Sequence, residues 1–313
     1  MNNTKPTIWI TVGLAGSGKS TWAKENKDKL NAVIHSSDEI RAELLGDMTD
    51  QSKNDEVFKI LHNRVKDDLR HGKNVVLDST NLSRKKRVAF LRELKNIPCE
   101  KTCVLFATPF VMCCARNFAR DRQVPEDVMV RMIKSFTTPT VYEGFNDVQI
   151  VWADYQYIPG FEYDIYKDMT TWKTLDQHSP HHCLSIGNHM LEACNWIKDR
   201  TNDVRLITAA LLHDIGKPDT KSWVDSKGEP CEVAHYYSHE SVGCYKALFY
   251  LRNMHPNWSD KDLLYVSLLI NLHMKPYMSY KQSEKAKEKD RQLFGDDLIA
   301  SLELLHRADL AAH

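Results

Sequence analysis

Thr7-Ile8-Trp9-Ile10-Thr11-Val12-Gly13-Leu14-Ala15-Gly16-Ser17-Gly18-Lys19-Ser20 decides the fold of the first half of this 313-residue chain. A short apolar run rich in β-branched residues predicts a buried strand, G-x-x-x-x-G-K-[ST] follows it, and a helical pattern starts at Thr21. A turn of this kind turns successive backbone N–H groups toward a phosphate chain, and glycine is needed wherever a side chain would block the approach. Gly13, Gly16, Ser17, Gly18, Lys19, Ser20 and Thr21 are therefore candidate contacts to ATP or another nucleoside triphosphate. Lys19 supplies point charge to the phosphates and Ser20 a hydroxyl for Mg²⁺.

Outward from this loop, further short apolar runs at 32–35, 75–77, 103–106 and 148–152 alternate with longer amphipathic stretches. Such alternation predicts βα units and a parallel sheet, whose ligands bind outside the carboxyl ends of the strands. Ser36 to Asp38 and Asp78 to Asn81 are expected at that mouth together with the glycine-rich loop. Asp38 is placed to orient an acceptor hydroxyl and take its proton, with Arg41 one helical turn on to hold an acceptor phosphate. The alternative is that Ser37 or Asp38 caps a helix starting at Glu39. The run Arg84-Lys85-Lys86-Arg87 reads either as a contact to acceptor backbone or as a polar helix start.

The second half is helical in pattern. Stretches 182–197, 204–214, 239–252, 260–273 and 296–312 carry apolar residues three and four apart, whereas 153–176 shows neither period and reads as a connector. The charged stretch 281–291 reads as a solvated loop or helix face. His213-Asp214 closes a helix whose Leu206, Ile207, Ala210 and Leu211 form an apolar stripe, and ionisable groups at such an end need a partner. A divalent metal provides one, since neutral imidazoles and carboxylates satisfy it together and one carboxylate bridges two ions. Lys217 either binds substrate phosphate or is a surface lysine ending a helix.

Bulk properties set limits. The 42 Lys and Arg balance 42 Asp and Glu, but residues 1–152 hold 24 of the former against 19 of the latter, which makes the first half the better candidate for a polyanion. Eight cysteines without a C-x-x-C predict reduced thiols. No apolar run reaches the length of a membrane span and no basic-then-apolar leader opens the chain, so a soluble, cytoplasmic protein without membrane association is expected.

Gly16-Ser17-Gly18-Lys19-Ser20-Thr21-Trp22-Ala23, Asp38-x-x-Arg41 and Asp78-Ser79-Thr80-Asn81-Leu82 together resemble the kinase domain of bacteriophage polynucleotide kinase-phosphatase, over about residues 6–152. The resemblance implies that Asp38 is the general base for a nucleic acid 5′-hydroxyl and that Arg41, Asp78, Thr80 and Asn81 bind the acceptor, with related enzymes placing the acidic residue at either of two positions near Asp78. Arg116-Asn117-Phe118-Ala119-Arg120-Asp121-Arg122 fits that family's lid, in which Arg116 and Arg120, on one helix face, close over ATP and neutralise charge during transfer. Lys19, Asp38 and Arg120 are the catalytic candidates.

His189, His213-Asp214 and Asp309 on separate helices resemble the HD phosphohydrolase superfamily. That likeness implies a catalytic Asp214 and metal ligands His189, His213, Asp214 and Asp309, extended by His239 and His273 to the six of members that hold two divalent transition ions. His235 would share a face with His239 if the helix began there. His181-His182-x-Leu184-x-Ile186-x-x-His189 is similar to HD domains attached to tRNA nucleotidyltransferases, which act on 2′,3′-cyclic phosphates. No Asp-x-Asp-x-Thr motif of the bacteriophage phosphatase domain is present; an HD domain stands in its place.

The expected organisation is an α/β P-loop kinase domain with a parallel sheet at 1–152, a connector at 153–176 and an all-α HD domain at 177–313. The combined resemblance implies a bifunctional enzyme that phosphorylates 5′-hydroxyl ends with ATP and Mg²⁺ and removes 2′,3′-cyclic and terminal phosphates. RNA would be favoured over DNA, and an RNA ligase would act afterwards. A nucleoside or nucleotide kinase fused to an HD nucleotidase is the alternative, and a nucleotide-responsive binding module without turnover is a third.

Overall fold

A computed structural model describes residues 5–153, 162–179 and 183–313. The chain divides into two compact units, Met1–Met132 with Pro139–Asp154 and Ile133–Thr138 with Tyr155–His313.

In the first unit β1 (Thr7–Val12) leads through the glycine-rich loop into α1 (Lys19–Leu30), followed by β2 (Ala32–Ser36), α2 (Ser37–Leu45), α3 (Asn54–Arg70) and β3 (Asn74–Asp78). Then come α4 (Arg84–Glu93), β4 (Glu100–Ala107), α5 (Phe110–Phe118), α6 (Glu126–Lys134) and β5 (Asp147–Trp152). The strands form one sheet in the order β2-β3-β1-β4-β5, every neighbouring pair parallel. Strands covered on both faces need apolar residues at successive positions, and Val75, Val76 and Leu77 of β3 and Cys103 to Ala107 of β4 are all buried. α3 closes one face with Val57, Leu61, Val65 and Leu69, a four-residue repeat that is buried throughout. β1 lies between β3 and β4, so the chain crosses it between its third and fourth strands, and the loops after β1, β2 and β3 open at the same sheet end.

The run Arg84 to Arg87 begins α4, and its last member points inward. Arg87 is buried and donates through Nε and Nη2 to both oxygens of Glu143, at 2.7 and 2.6 Å, and through Nη1 to the carbonyls of Asn81 and Leu82 at 3.0 and 2.8 Å. The charge read from the sequence as a polar face is thus an internal tie for the loop after β3. Both side chains of the pair are fully buried, so Glu143→Ala is expected to destabilise this unit by about 3–5 kcal/mol, the cost of stranding a buried guanidinium. Urea denaturation checks this, and Arg87→Met combined with Glu143→Leu should recover most of the loss.

The second unit contains α7 (Ile165–Trp172), inside the stretch that reads as a connector, then α8 (Ile186–Lys198), α9 (Val204–Leu212) and α10 (Lys217–Thr220). A two-stranded antiparallel ribbon follows, β6 (Ser222–Val224) with β7 (Pro230–His235). α11 (His239–Met254), α12 (Asp260–Leu272), α13 (Glu284–Phe294) and α14 (Asp296–Ala311) complete it. Among the described residues the unit's only strands are those of this ribbon, which the apolar periodicity does not announce. The charged stretch 281–291 lies mostly within α13.

α9 is the inner helix. It buries Leu206, Thr208, Ala209, Ala210 and Leu212, whereas Ile207 and Leu211 of the expected stripe are only half-buried. Contacts with α8, α12 and α14 enclose α9 on several sides, so its buried surface is broader than a single stripe and rotated from it. All eight cysteines are free thiols, and no helix among the described residues is long and apolar enough to cross a membrane.

Candidate phosphate-transfer and metal sites

The phosphate loop is held from below. Gly13 N donates to Thr80 O at 3.0 Å, and Thr108 Oγ1 donates to Ser17 O at 3.0 Å. Gly16 has φ +81°, and a Cβ there would fall 2.4 Å from Cys113 O, so both backbone conformation and packing require glycine. Lys19 Nζ curls back over the loop to Leu14 O at 2.7 Å and lies 3.4 Å from Ser17 Oγ. Burial pulls the Lys19 ammonium down to about 8, and the Asp78 carboxylate is the strongest influence in the opposite direction. Asp78 is buried at the end of β3, while Ser20 and Thr21 on the first turn of α1 are exposed.

At the next strand end the cap is Ser36, whose Oγ accepts from Asp38 N at 3.3 Å, and α2 begins at Ser37 rather than Glu39. Asp38 is thereby relieved of capping. Its carboxylate is half-exposed and meets Arg41 Nη1 at 2.8 Å and Arg122 Nη1 at 3.0 Å. Arg41 is buried, donates from Nη2 to Asn54 Oδ1 at 2.9 Å, and keeps a buried Nε with no hydrogen-bond partner. Asn81 sits in left-handed backbone, φ 43°, and donates from Nδ2 to Thr11 O at 2.9 Å, bracing the end of β1. Arg116 reaches over the loop, with Nη1 4.0 Å from the position of a Cβ on Gly18. Arg120 lies beyond α5, which ends at Phe118, so the two arginines do not share a continuous helix; the Arg120 charge nonetheless acts on Lys19. Arg122 is the unanticipated member, because its pairing with Asp38 joins segments distant in sequence.

In the second unit four helix ends and one helix interior converge. His189 lies in α8, His213 and Asp214 follow α9, His239 opens α11, His273 follows α12, and Asp309 lies in the last turn of α14. All six are buried. His189 Nε2 stands 3.2 Å from His213 Nε2, 3.4 Å from Asp214 Oδ2 and 3.0 Å from Asp309 Oδ1. His213 Nε2 is 3.3 Å from Asp214 Oδ2 and 3.6 Å from Asp309 Oδ1. The other carboxylate oxygen, Asp214 Oδ1, is 3.3 Å from His239 Nε2 and 3.8 Å from His273 Nε2, and those two nitrogens are 3.1 Å apart.

These spacings suit metal ligation. Donors about 2.1 Å from an ion stand about 3.0 Å apart in cis octahedral positions and about 3.4 Å apart in a tetrahedron. The imidazoles are also oriented for it. Nδ1 of His189, His213, His239 and His273 lies 3.1, 2.8, 2.8 and 2.7 Å from the carbonyls of Ala312, Ala210, Tyr236 and Ile270. Each Nδ1–H is committed outward to a carbonyl, so each Nε2 faces into the cluster. Burial would keep His213 neutral, but Asp214 and Asp309 carry it up to about 10; burial and the imidazoles of His239 and His213 push His273 down to about 3. Despite burial, Lys217 and His213 hold Asp214 well below the carboxylate range. The cluster thus demands cationic charge, and a divalent ion satisfies several donors at once where a proton satisfies one pair. The donor set fits divalent metal, with Asp214 facing both histidine pairs.

Lys217 is buried, with Nζ 2.7 Å from Asp214 Oδ2 and donating to Gln177 Oε1 at 2.7 Å, so it is not a surface lysine. Gly216 permits this: a Cβ there would lie 2.1 Å from His239 O, so any side chain would drive α10 away from α11 and the ligands apart. His313 adds a nitrogen 3.6 Å from Asp309 Oδ1, and Tyr277 lies near enough to Asp309 for burial and that charge to raise its phenol. Neither carries a sequence signal. His235 belongs to β7, stacked on Tyr237, and not to the helix of His239. His181 and His182 lie outside the described residues.

Residues 8–139 match the family model described as AAA domain, and residues 181–311 match the model described as HD domain. The chain joins an AAA-family P-loop kinase domain to an HD domain. No curated protein matched it. Among solved structures, a chain of the "Pnkp1/Rnl/Hen1 complex" is 25% identical with a TM-score of 0.34, covering 40% of this chain and 44% of that chain. A protein from Chloroflexus aurantiacus described as a "putative kinase" is 15% identical with a TM-score of 0.40, covering 48% of this chain and 89% of that one. A gluconokinase from Sinorhizobium meliloti is 16% identical with a TM-score of 0.36, covering 49% and 86%. The chain therefore spans less than half the length of the RNA-repair-complex subunit it matches.

Proposed function

We propose that this AAA–HD protein heals broken RNA ends, phosphorylating a 5′-hydroxyl and hydrolysing a 2′,3′-cyclic phosphate and the monoester left behind. The observation that carries it is the acceptor corner beside the phosphate loop: a half-exposed Asp38 carboxylate over a buried Arg41 whose Nε lacks a partner. An unsatisfied buried guanidinium N–H is a site for an anionic ligand, which fits an acceptor that already carries phosphate. In the forward step Asp38 takes the proton of the 5′-hydroxyl as its oxygen attacks the γ-phosphorus, and the nucleoside diphosphate leaves. Lys19, Arg116 and Arg120 balance the charge spreading over the phosphoryl oxygens, and Ser20 would hold Mg²⁺. Asp78 and the Thr80-Asn81 loop line the acceptor side.

In the HD domain His189, His213, Asp214, His239, His273 and Asp309 would hold divalent ions, which supply Lewis-acid polarisation of a phosphate oxygen and activation of water. One water adds to phosphorus as a ring P–O bond breaks and the freed ribose oxygen takes a proton; a second water releases inorganic phosphate. Lys217, fixed between Asp214 and Gln177, is positioned to meet the incoming anion. The two chemistries act on opposite ends of a strand, leaving a 5′-phosphate and a 3′-hydroxyl suited to an RNA ligase.

The test supplies RNA with 5′-hydroxyl and 2′,3′-cyclic phosphate ends, ATP, Mg²⁺ and a panel of transition ions, and identifies both ends by mass spectrometry. Conversion of both ends is expected, and Asp38→Ala should lose only the phosphorylation. Free nucleosides or nucleotides processed far better than the oligonucleotide would favour a metabolite kinase joined to a nucleotidase and sink this proposal.

A further inference from the structure

Beside Lys217 lies a group of side chains outside the metal-ligand set. Gln177 is buried; its side-chain oxygen accepts from Lys217 Nζ and its carbonyl accepts from Tyr236 Oη at 2.7 Å. The next residue, His178, has left-handed backbone, φ 48°, and its carbonyl accepts from Ala234 N of β7 at 3.0 Å. Its ring turns to the surface, with Nδ1 2.9 Å from Lys221 Nζ and the ring edge-on to Trp223 at 5.2 Å between centroids. Lys221 Nζ stands 5.2 Å from the Trp223 ring centroid. Trp223, in the middle of the three-residue β6, is 46% exposed.

An isolated exposed tryptophan is ordinary; one flanked by an ammonium and an imidazole, on a ribbon tied to the residue that holds Lys217, is not. Lys221 follows α10 directly and donates its N–H to Lys217 O at 3.1 Å, while its Nζ donates to Asp176 O at 2.9 Å, next to the Gln177 that holds Lys217. The Lys221–Trp223–His178 face is thus joined through adjoining residues to Lys217, whose Nζ contacts Asp214 of the cluster at 2.7 Å. Aromatic rings beside cations are the means by which proteins hold unpaired bases, since every base has a π-face and the neighbouring backbone is anionic.

The geometry points to a nucleobase-stacking platform made by Trp223, His178 and Lys221, which seats the base at the phosphate-bearing end of the strand while the phosphate lies at the metal cluster. This rests on the proposed hydrolysis of nucleic-acid ends. It further implies that the HD domain selects nucleotides over phosphate esters that lack a base.

The experiment uses the full-length protein and two fluorescent probes of equal length, each with a 5′-phosphate and a 3′-phosphate: an oligoadenylate and a chain of abasic residues. Both probes present the same 5′-phosphate to the kinase acceptor corner, and because Trp223 lies in the other unit, its substitution leaves that contribution unchanged. By fluorescence anisotropy, Trp223→Ala is expected to weaken oligoadenylate binding about tenfold or more and leave the abasic chain unchanged, while Trp223→Phe stays within about threefold of the unsubstituted protein. Lys221→Gln should weaken both probes modestly, as a cation near a phosphate backbone would. Equal loss of both probes in Trp223→Ala, or loss of neither, overturns the platform. So does a changed sedimentation coefficient without base-dependent loss, which would make this face a protein contact. Phosphate release by the unsubstituted protein is followed in parallel; base-dependent binding without release would refute the hydrolysis and keep the platform.

Discussion

Asp214→Ala is expected to slow phosphate release from a 3′-phosphorylated RNA by about a thousandfold or more while leaving 5′-phosphorylation unchanged. The reason is geometric. Asp214 presents Oδ2 to His189 and His213 and Oδ1 to His239 and His273, and it is the only carboxylate among the described residues that faces both histidine pairs. Its removal leaves His239 and His273 as two neutral donors with no anion, too few to retain an ion, and leaves Asp309 as the sole charge on the other side. Several kcal/mol of charge stabilisation is lost, at about 1.4 kcal/mol per tenfold in rate. A second readout is independent of turnover: elemental analysis of protein dialysed against a divalent transition ion should show bound metal falling from about two equivalents toward none. Lys217→Ala should keep the metal and lose substrate affinity instead, because Lys217 contacts the bridging carboxylate without supplying a lone pair. An Asp214→Ala protein that retains its metal would mean that the two clusters are held independently.

The phosphate loop and the His213-Asp214 pair are legible in sequence because each is contiguous: the chemistry needs those residue types within one turn of backbone, and a window of a few residues contains the whole signal. The parallel sheet is legible for a related reason, since strands buried on both faces write themselves as unbroken apolar runs. Legibility fails where a side chain's role depends on distant neighbours. Arg87 reads as one of four solvated charges, yet Glu143, 56 residues on, makes it an internal ion pair. Gln177 and Lys217 each look unremarkable alone, and only the fold brings them to 2.7 Å. His235 is four residues from His239 but stands on a strand, because Ser238 with φ 65° turns the chain before α11 begins. Spacing in sequence predicts a shared face only where the helix is continuous, and the same limit separates Arg116 from Arg120.

Lys19→Met is expected to lower ATP-dependent phosphorylation by about a hundred- to a thousandfold, the loss associated with one preorganised charge or donor aimed at the transition state. It should leave phosphate release by the HD domain unchanged. A further consequence follows from burial of the ammonium, which brings Lys19 down to about 8 without nucleotide. A bound triphosphate adds negative charge beside Nζ and raises that value, so between the two values nucleotide binding takes up a proton. The sign is fixed: affinity for ATP is full below about pH 8, where Lys19 already carries its proton, and declines as pH rises above it. Calorimetric titration at pH 8.5 in two buffers of different ionisation enthalpy should show proton uptake in the unsubstituted protein and a reduced uptake in Lys19→Met. Asp78→Asn provides the internal control, because Asp78 is the charge that most strongly opposes the fall in the Lys19 value. Removing it should extend the decline in affinity to lower pH. A decline that does not move with Asp78, or that persists in Lys19→Met, would assign the titration to another group and leave Lys19 charged throughout.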